Sequence, residues 1–193
     1  MHILAIHGSP RKKGNSHLLL QAVVEGAIAA GAQVETIRVA ELAFSPCIHC
    51  GGCDDSGRCI FTDDMTQVYE KILAADRIFF AAPIFFYGLP AQAKALIDRC
   101  QALWHHHRLL AEKNGWKKDP ARKGYYLGVA ATHGKKLFDC AILTMKYGLD
   151  AMGYSYGGEF LVRGPDKKGD MADYTEELQK AKMFGRDVAL GAR

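Results

Sequence analysis

Four of the six cysteines of this 193-residue chain sit between positions 47 and 59, in the stretch CIHCGGCDDSGRC. Their spacing is C-x2-C-x2-C-x5-C, which places Cys47, Cys50, Cys53 and Cys59 on one short loop. Thiols this close together hold a metal ion, hold an iron–sulfur cluster, pair as disulfides, or stay free. Zinc sites usually join two close ligands to two distant ones through a longer loop, and this crowded trio with a fourth close behind fits that poorly. A [4Fe–4S] cubane spreads its ligand directions over a larger object and fits better. Bacterial ferredoxins use C-x2-C-x2-C-x3-C-P, where the fourth cysteine serves another cluster. Here the last gap is longer and Ile60 replaces the proline, so the set closes on one cluster by itself. Gly51, Gly52 and Gly57 supply the permissive backbone such wrapping needs. A zinc ion and free thiols remain the alternatives, with His49 as a substitute ligand inside the knot.

A second group of chemistry-bearing residues lies in HGSPRKKGNSHLL, where a short apolar run gives way to a helical pattern. Ser9, Asn15 and Ser16 offer hydroxyl and amide groups, Arg11 a charge, and the helix start a set of free N–H groups. The glycine spacing matches neither a Walker loop nor a dinucleotide fingerprint. A Ser/Asn-rich loop between strand and helix instead suits the phosphate monoester of FMN. The alternative is a capped helix without ligand, with Ser16 as its N-cap. Further on, AAPIFFYGLPAQ sets Pro83, Ile84, Phe85, Phe86, Tyr87 and Gly88 just past an apolar run. These offer flat apolar surface for a flavin ring and exposed backbone for its polar edge, or else a core aromatic cluster. ATHGKK adds Thr132 and His133. The run His105–His107 also invites a metal, but consecutive helical residues point in different directions; a polar helix end is expected. Cys100 and Cys140 fall in helical patterns and are expected to be buried and inert.

These segments must be positioned by something, and the chain alternates strand and helix five times. Strands are expected over residues 2–8, 32–40, within 76–86 and ended by Pro83, 124–131 and 154–162, and helices over 16–31, 63–75, 90–105, 136–153 and 172–190. Asp63 and Asp64 suit a helix N-terminus and Pro90 a first turn. Strands with continuous apolar runs point to a parallel sheet covered on both faces. Ligands of such sheets bind beyond the carboxyl ends of the strands, which gathers the loops after strands one, three and four, with the cysteine loop at the same edge.

Composition narrows the rest. Hydrophobic residues make up 49% and charged residues 24%, enough core for one domain over residues 1–193, with the cysteine-rich loop at about 45–61 as an insertion. The net charge of +4 is too mild and too dispersed to suggest nucleic acid. The basic run EKNGWKKDPARKG reads as a solvated loop or an edge that attracts phosphorylated ligands. No stretch approaches a membrane span and the first residues lack a signal-peptide layout, so a cytoplasmic, reducing location is expected. Disulfides are then disfavoured.

Taken together, GSPRKKGNS, SPCIHCGGC with its following cysteine, DDM and PIFFYGLPAQAKALIDR resemble the NADPH-dependent FMN reductase group of the flavodoxin-like superfamily, and within it the iron–sulfur flavoproteins. The resemblance covers the first hundred residues well and the remainder loosely. It implies a flavodoxin-like three-layer sandwich with a five-stranded parallel sheet in order 2-1-3-4-5. It implies FMN, with its phosphate at Ser9, Arg11, Asn15 and Ser16 and its ring against Pro83–Gly88, helped by Thr132 and His133. It also implies a homodimer or homotetramer. The expected function is an FMN-dependent oxidoreductase that passes electrons from NAD(P)H or ferredoxin to an acceptor, through a [4Fe–4S] cluster on Cys47, Cys50, Cys53 and Cys59. A cluster-free NAD(P)H-dependent FMN or quinone reductase and a non-enzymatic flavodoxin-like carrier are the alternatives. No acid, base or nucleophile is needed, because the cofactors carry the chemistry.

Overall fold

The computed structural model describes residues 1–193. Five strands, β1 (His2–His7), β2 (Gln33–Arg38), β3 (Arg77–Pro83), β4 (Lys123–Ala130) and β5 (Ser155–Arg163), form one parallel sheet in the order β2-β1-β3-β4-β5. Six helices connect and cover them: α1 (Asn15–Ala29), α2 (Met65–Ala74), α3 (Ala91–Arg99), α4 (Gln101–Asn114), α5 (Asp139–Ala151) and α6 (Thr175–Ala189). The expected flavodoxin-like architecture is thus observed. No helix is long and apolar enough to cross a membrane.

The three layers follow from strand alternation. Leu4, Ile6, Ile78, Phe80 and Tyr126 point to one face and join a core closed by α2, α3, α4 and α5. Ile3, Ala5, Phe79, Tyr125 and Leu127 point to the other, where α1 and α6 close a second core. Both faces are dry, which is why the strands read as unbroken apolar runs.

β3 stops at Pro83, as expected, and beyond it Phe85–Gly88 fold back into a tight turn. Several other boundaries differ from the sequence expectation. The helix expected over 90–105 is two, broken at Cys100, and the second extends to Asn114, where Gly115 ends it in a left-handed conformation. The last helix begins at Thr175, preceded by a single 3-10 turn over Asp170–Asp173. Ser16 is not the N-cap of α1; Gly14 is, and Ser16 is buried in the first turn.

α1 and α6 meet at two glycines. A Cβ on Gly26 would lie 1.9 Å from the Lys182 carbonyl oxygen, and one on Gly185 would lie 1.9 Å from that of Val23. Backbone, not a flexible side chain, is what would be struck. Gly185→Ala is therefore expected to force the helices apart and to cost about 1–3 kcal/mol. A lowered urea midpoint with an unchanged m-value checks this.

Candidate functional site

The loop after β1 descends into α1 with its donors unspent. None of the backbone N–H groups of residues 12–16 has an intramolecular partner, while Arg11 N–H donates to Ser9 Oγ at 3.2 Å. Lys13 adopts a left-handed φ of 52°, and the first turn of α1 carries no acidic residue. Successive unpaired amides at a helix N-terminus form an anion-binding concavity. The Arg11 guanidinium is exposed. Beneath this loop His7 and His17 stack with ring centroids 4.8 Å apart. Burial, together with the neighbouring His17 and Arg38, holds His7 down at about 4, so its imidazole is neutral at physiological pH.

A cleft opens beside this concavity. Ser9, Arg11, Asn15, Ser16, Pro83, Ile84 and Phe85 line it together, as the sequence expected. The end of β4, Val129–Ala131, and the segment after β5, Pro165 and Asp166, complete the wall. The β5 segment was missed, although Gly164-Pro165 after an apolar run is a turn signal at the same sheet edge. Asn15 lines the cleft but commits its amide elsewhere. Its Nδ2 donates to the Lys167 carbonyl at 2.9 Å, and its Oδ1 accepts from Gly169 and Met171 at 3.1 and 3.2 Å. Its contribution is to hold the segment after β5 against the mouth of the cleft.

Phe86, Tyr87, Gly88, Thr132 and His133 do not line the cleft in this conformation. Phe85 and Gly88 exchange two backbone hydrogen bonds of 2.9 Å, closing a two-residue turn. Its central residues Phe86 and Tyr87 have left-handed φ values of 49° and 63°. This is the geometry of a type I′ turn, which favours Asn-Gly. Two aromatic residues held there store strain of about 1–3 kcal/mol each, and Phe86 is wholly exposed. Tyr87 reaches the loop after β4: a Cβ on Gly134 would lie 2.8 Å from its hydroxyl.

The cysteine loop lies at the same sheet edge, between β2 and α2. All four thiols, Cys47, Cys50, Cys53 and Cys59, line one small hollow, and none is in a disulfide. No three of their sulfurs come within 4.8 Å of one another. Four thiolates on a single zinc ion at about 2.3 Å would stand about 3.8 Å apart, closer than these thiols gather by themselves. Four thiols lining one hollow are the donor set an iron–sulfur cluster takes. His49 N–H lies 3.4 Å from Cys47 Sγ, an amide directed at sulfur. Burial, then the adjacent Asp54 carboxylate, push the Cys53 thiol above its ordinary value, so a cation must displace its proton. Cys100 is buried, and burial pushes its thiol up to about 12. Cys140 is exposed rather than buried.

The loop keeps its shape through protein contacts. Ala43 N–H donates to Asp64 Oδ2 at 2.6 Å across its neck. Arg99, whose side chain is 1% exposed, donates to Asp63 at 2.7 and 3.1 Å and to the Ser45 carbonyl at 2.7 Å. Asp63 and Asp64 were expected to serve the start of α2; Asp63 does accept from Met65 N–H at 3.0 Å, but both also fasten the loop. On the far side Gly57 lies so close to α4 that a Cβ would stand 2.7 Å from His106 Cα. The three histidines indeed diverge. His105 turns into the cysteine hollow, and His106 backs Gly57. His107 is not part of a polar helix end: it is buried and stacks on Trp116 at 4.4 Å.

A five-stranded parallel sheet in this order, with its cleft beside β1 at the carboxyl edge, defines a flavodoxin-like protein. The NAD(P)H:quinone oxidoreductase of Methanothermobacter marburgensis shares this fold, with a TM-score of 0.68 at 19% identity over 97% of this chain and 96% of that one. The family model described as NADPH-dependent FMN reductase matches residues 1–136, and the chain belongs to that family. Among curated relatives, an iron-sulfur flavoprotein of Methanosarcina thermophila is 40% identical over 115 residues, which is 60% of this chain and 60% of that protein. One from Archaeoglobus fulgidus is 28% identical over 189 residues, covering 98% of this chain and 79% of the relative.

The Asp63–Arg99 pair generates a pH signature. Burial raises the Asp63 carboxyl, but the Arg99 hydrogen bonds and the Met65 amide outweigh it, and the net effect holds the group below its ordinary value. A depressed carboxylate contributes stability that is complete above its unfolded-state pKa and is lost as pH falls through the lower folded-state value. Asp63→Ala leaves Arg99 buried without its partner and should cost about 3 kcal/mol at pH 7. Urea titrations from pH 7 to pH 3 should show the wild type losing stability below about pH 4, and the difference from the variant narrowing there.

Proposed function

We propose that this chain is an FMN-dependent oxidoreductase that passes electrons from NAD(P)H or ferredoxin to an acceptor. We further propose that Cys47, Cys50, Cys53 and Cys59 hold a [4Fe–4S] cluster as its second redox centre. The observation that carries this is the run of unpartnered amides of residues 12–16 opening into a cleft walled by Pro83–Phe85. Phosphate-binding backbone and flat apolar wall stand together, as a flavin mononucleotide requires.

In this reading Ser9, Arg11 and Ser16 join those amides around the phosphate, Arg11 supplying the balancing charge. Asn15 keeps the cleft mouth in place from behind. Pro83–Phe85 face the ring; Phe86–Gly88, Thr132 and His133, which stand outside the cleft beforehand, would have to move onto it as FMN binds. When bound, FMN supplies two-electron chemistry with a hydride donor and one-electron chemistry with a carrier such as an iron–sulfur cluster. The protein's part is to bind, orient and desolvate. Residues 1–193 then act as one FMN-binding domain with the cysteine loop as an insertion, working as a homo-oligomer in the cytoplasm.

A cluster-free NAD(P)H-dependent FMN or quinone reductase is the second reading. Its loop would be held by the contacts of Arg99, Asp64 and Gly57 alone. Anaerobic purification with a visible spectrum and iron and sulfide assays separates the two. Flavin with roughly four irons per chain supports the cluster. Flavin without iron under strict anaerobiosis leaves the simple reductase. Absence of flavin binding even with added FMN overturns both.

The phosphate assignment has its own check. Arg11→Ala removes a charged hydrogen-bond donor worth about 1.5–3 kcal/mol. FMN affinity should fall by about 10- to 100-fold, while affinity for riboflavin, which lacks the phosphate, should stay unchanged in a fluorescence titration. An equal loss for both ligands would place Arg11 elsewhere.

A further inference from the structure

One group in the cysteine hollow is used by neither redox centre. His105 projects from α4, and its side chain is 12% exposed. Its Nδ1 is buried without a hydrogen-bond partner. Its Nε2 lies 3.1 Å from Asp54 Oδ1 and 3.2 Å from Gln101 Nε2. Nε2 is therefore the nitrogen that faces Asp54 and would ligate an ion beside it.

We propose that Cys53, Asp54 and His105 form a mononuclear site for a first-row divalent cation of the zinc, cobalt or ferrous class. Their ligand atoms all lie within 4.8 Å of one another, a gathering the four thiols do not achieve among themselves. Two donors about 2.0–2.2 Å from a tetrahedral ion stand about 3.3 Å apart; the Asp54 oxygen and the His105 nitrogen are already near that separation. A thiolate, an imidazole and a carboxylate suit these ions rather than calcium or magnesium. Three protein ligands leave a fourth position open to water.

The trio is also held in place before any ion arrives. Arg108, on the next turn of α4, donates to the Asp54 carbonyl at 2.6 Å. Gly57 lets the loop sit directly on the backbone of His106. Asp54 N–H donates to the Gly51 carbonyl at 3.0 Å, and Gly57 N–H to that of Cys53 at 2.9 Å, which closes the turn carrying both loop ligands. An ion bound here would cross-link the loop to α4, releasing the Cys53 proton as it binds. Cys53 cannot serve this ion and a four-thiolate cluster at once. A divalent ion on the trio therefore blocks cluster assembly, a consequence that rests on the cluster reading above, whereas the site itself does not.

The test uses full-length protein, chelator-treated, reduced and free of iron. Titration with Co²⁺ should give one ion per chain, with the visible bands of a tetrahedral site and a single-thiolate charge-transfer band. His105→Ala and Asp54→Asn should each weaken Co²⁺ at least about tenfold, and Cys53→Ser should abolish the charge-transfer band. Cys47→Ser should leave the affinity unchanged. Asp54 is exposed, so its variant reports binding without disturbing the fold, and circular dichroism verifies the others. Wild-type affinity in His105→Ala and Asp54→Asn, or loss of binding in Cys47→Ser, places the ion on the thiols alone and overturns the proposal. One equivalent of Zn²⁺ added before iron and sulfide should slow cluster formation in the wild type but not in Asp54→Asn; equal slowing in both overturns the competition. If metal-free wild type assembles no cluster anaerobically, the cluster reading falls and the Co²⁺ result still decides the site.

Discussion

In a sheet whose five strands all run the same way, every strand hands its chain on at the same edge. Each connection must then return over one face as a helix before the next strand can begin. The edge at the carboxyl ends therefore collects the loops, the start of α1 and the residues least committed to the core. β1 sits between β2 and β3, and on its two sides the chain turns back in opposite directions. The gap left there is where a ligand can reach backbone without displacing packed side chains. The unspent amides of residues 12–16, the wall after β3 and the thiol hollow after β2 all lie along this one edge.

What differs among these loops is how each is held. The loop after β1 is supported from below by a neutral histidine pair and from the side by Asn15, which binds the segment after β5. The turn after β3 is held against its own preference, with two aromatic residues in left-handed backbone. The cysteine loop is fastened by charge: Arg99 lies almost wholly within protein and satisfies Asp63 and the Ser45 carbonyl together. Burying such a pair gains little net stability but makes one arrangement strongly preferred over partial ones. The result is a set of fixed loops on a rigid sheet.

The sheet was legible from sequence because each strand is a continuous apolar run, and the helices because their apolar residues recur at helical spacing. The limits of that logic lie where local pattern and tertiary contact disagree. Past Pro83, which ends β3 as expected, no local pattern announces that Phe85–Gly88 fold back into a turn. Cys100 interrupts a helical pattern that contains no proline or glycine to announce it. Of the cleft, residues on the loops after strands one and three were readable from their donors and aromatic faces. Pro165 and Asp166 carry no marked chemistry, so nothing in the sequence assigns the loop after the last strand to the cleft. Arg99 was invisible for a different reason, and His105 was set aside because its run of three histidines could not converge on one ion by itself. Their partners lie 36 and 51 residues away in sequence, which no local pattern announces.

The neck of the cysteine loop has a wider consequence. Ala43 and Asp64 are joined through both the Asp64 side chain and its amide, so the chain between them is closed off from the sheet. Once a loop's ends are fixed, lengthening it is cheap: doubling it costs about 0.6 kcal/mol in closure entropy. The strands on either side do not register what the loop contains. A scaffold built this way can acquire, enlarge or discard a metal-binding cassette without refolding. Descent could therefore place different electron-storing inserts at this position while leaving the flavin-binding frame unaltered.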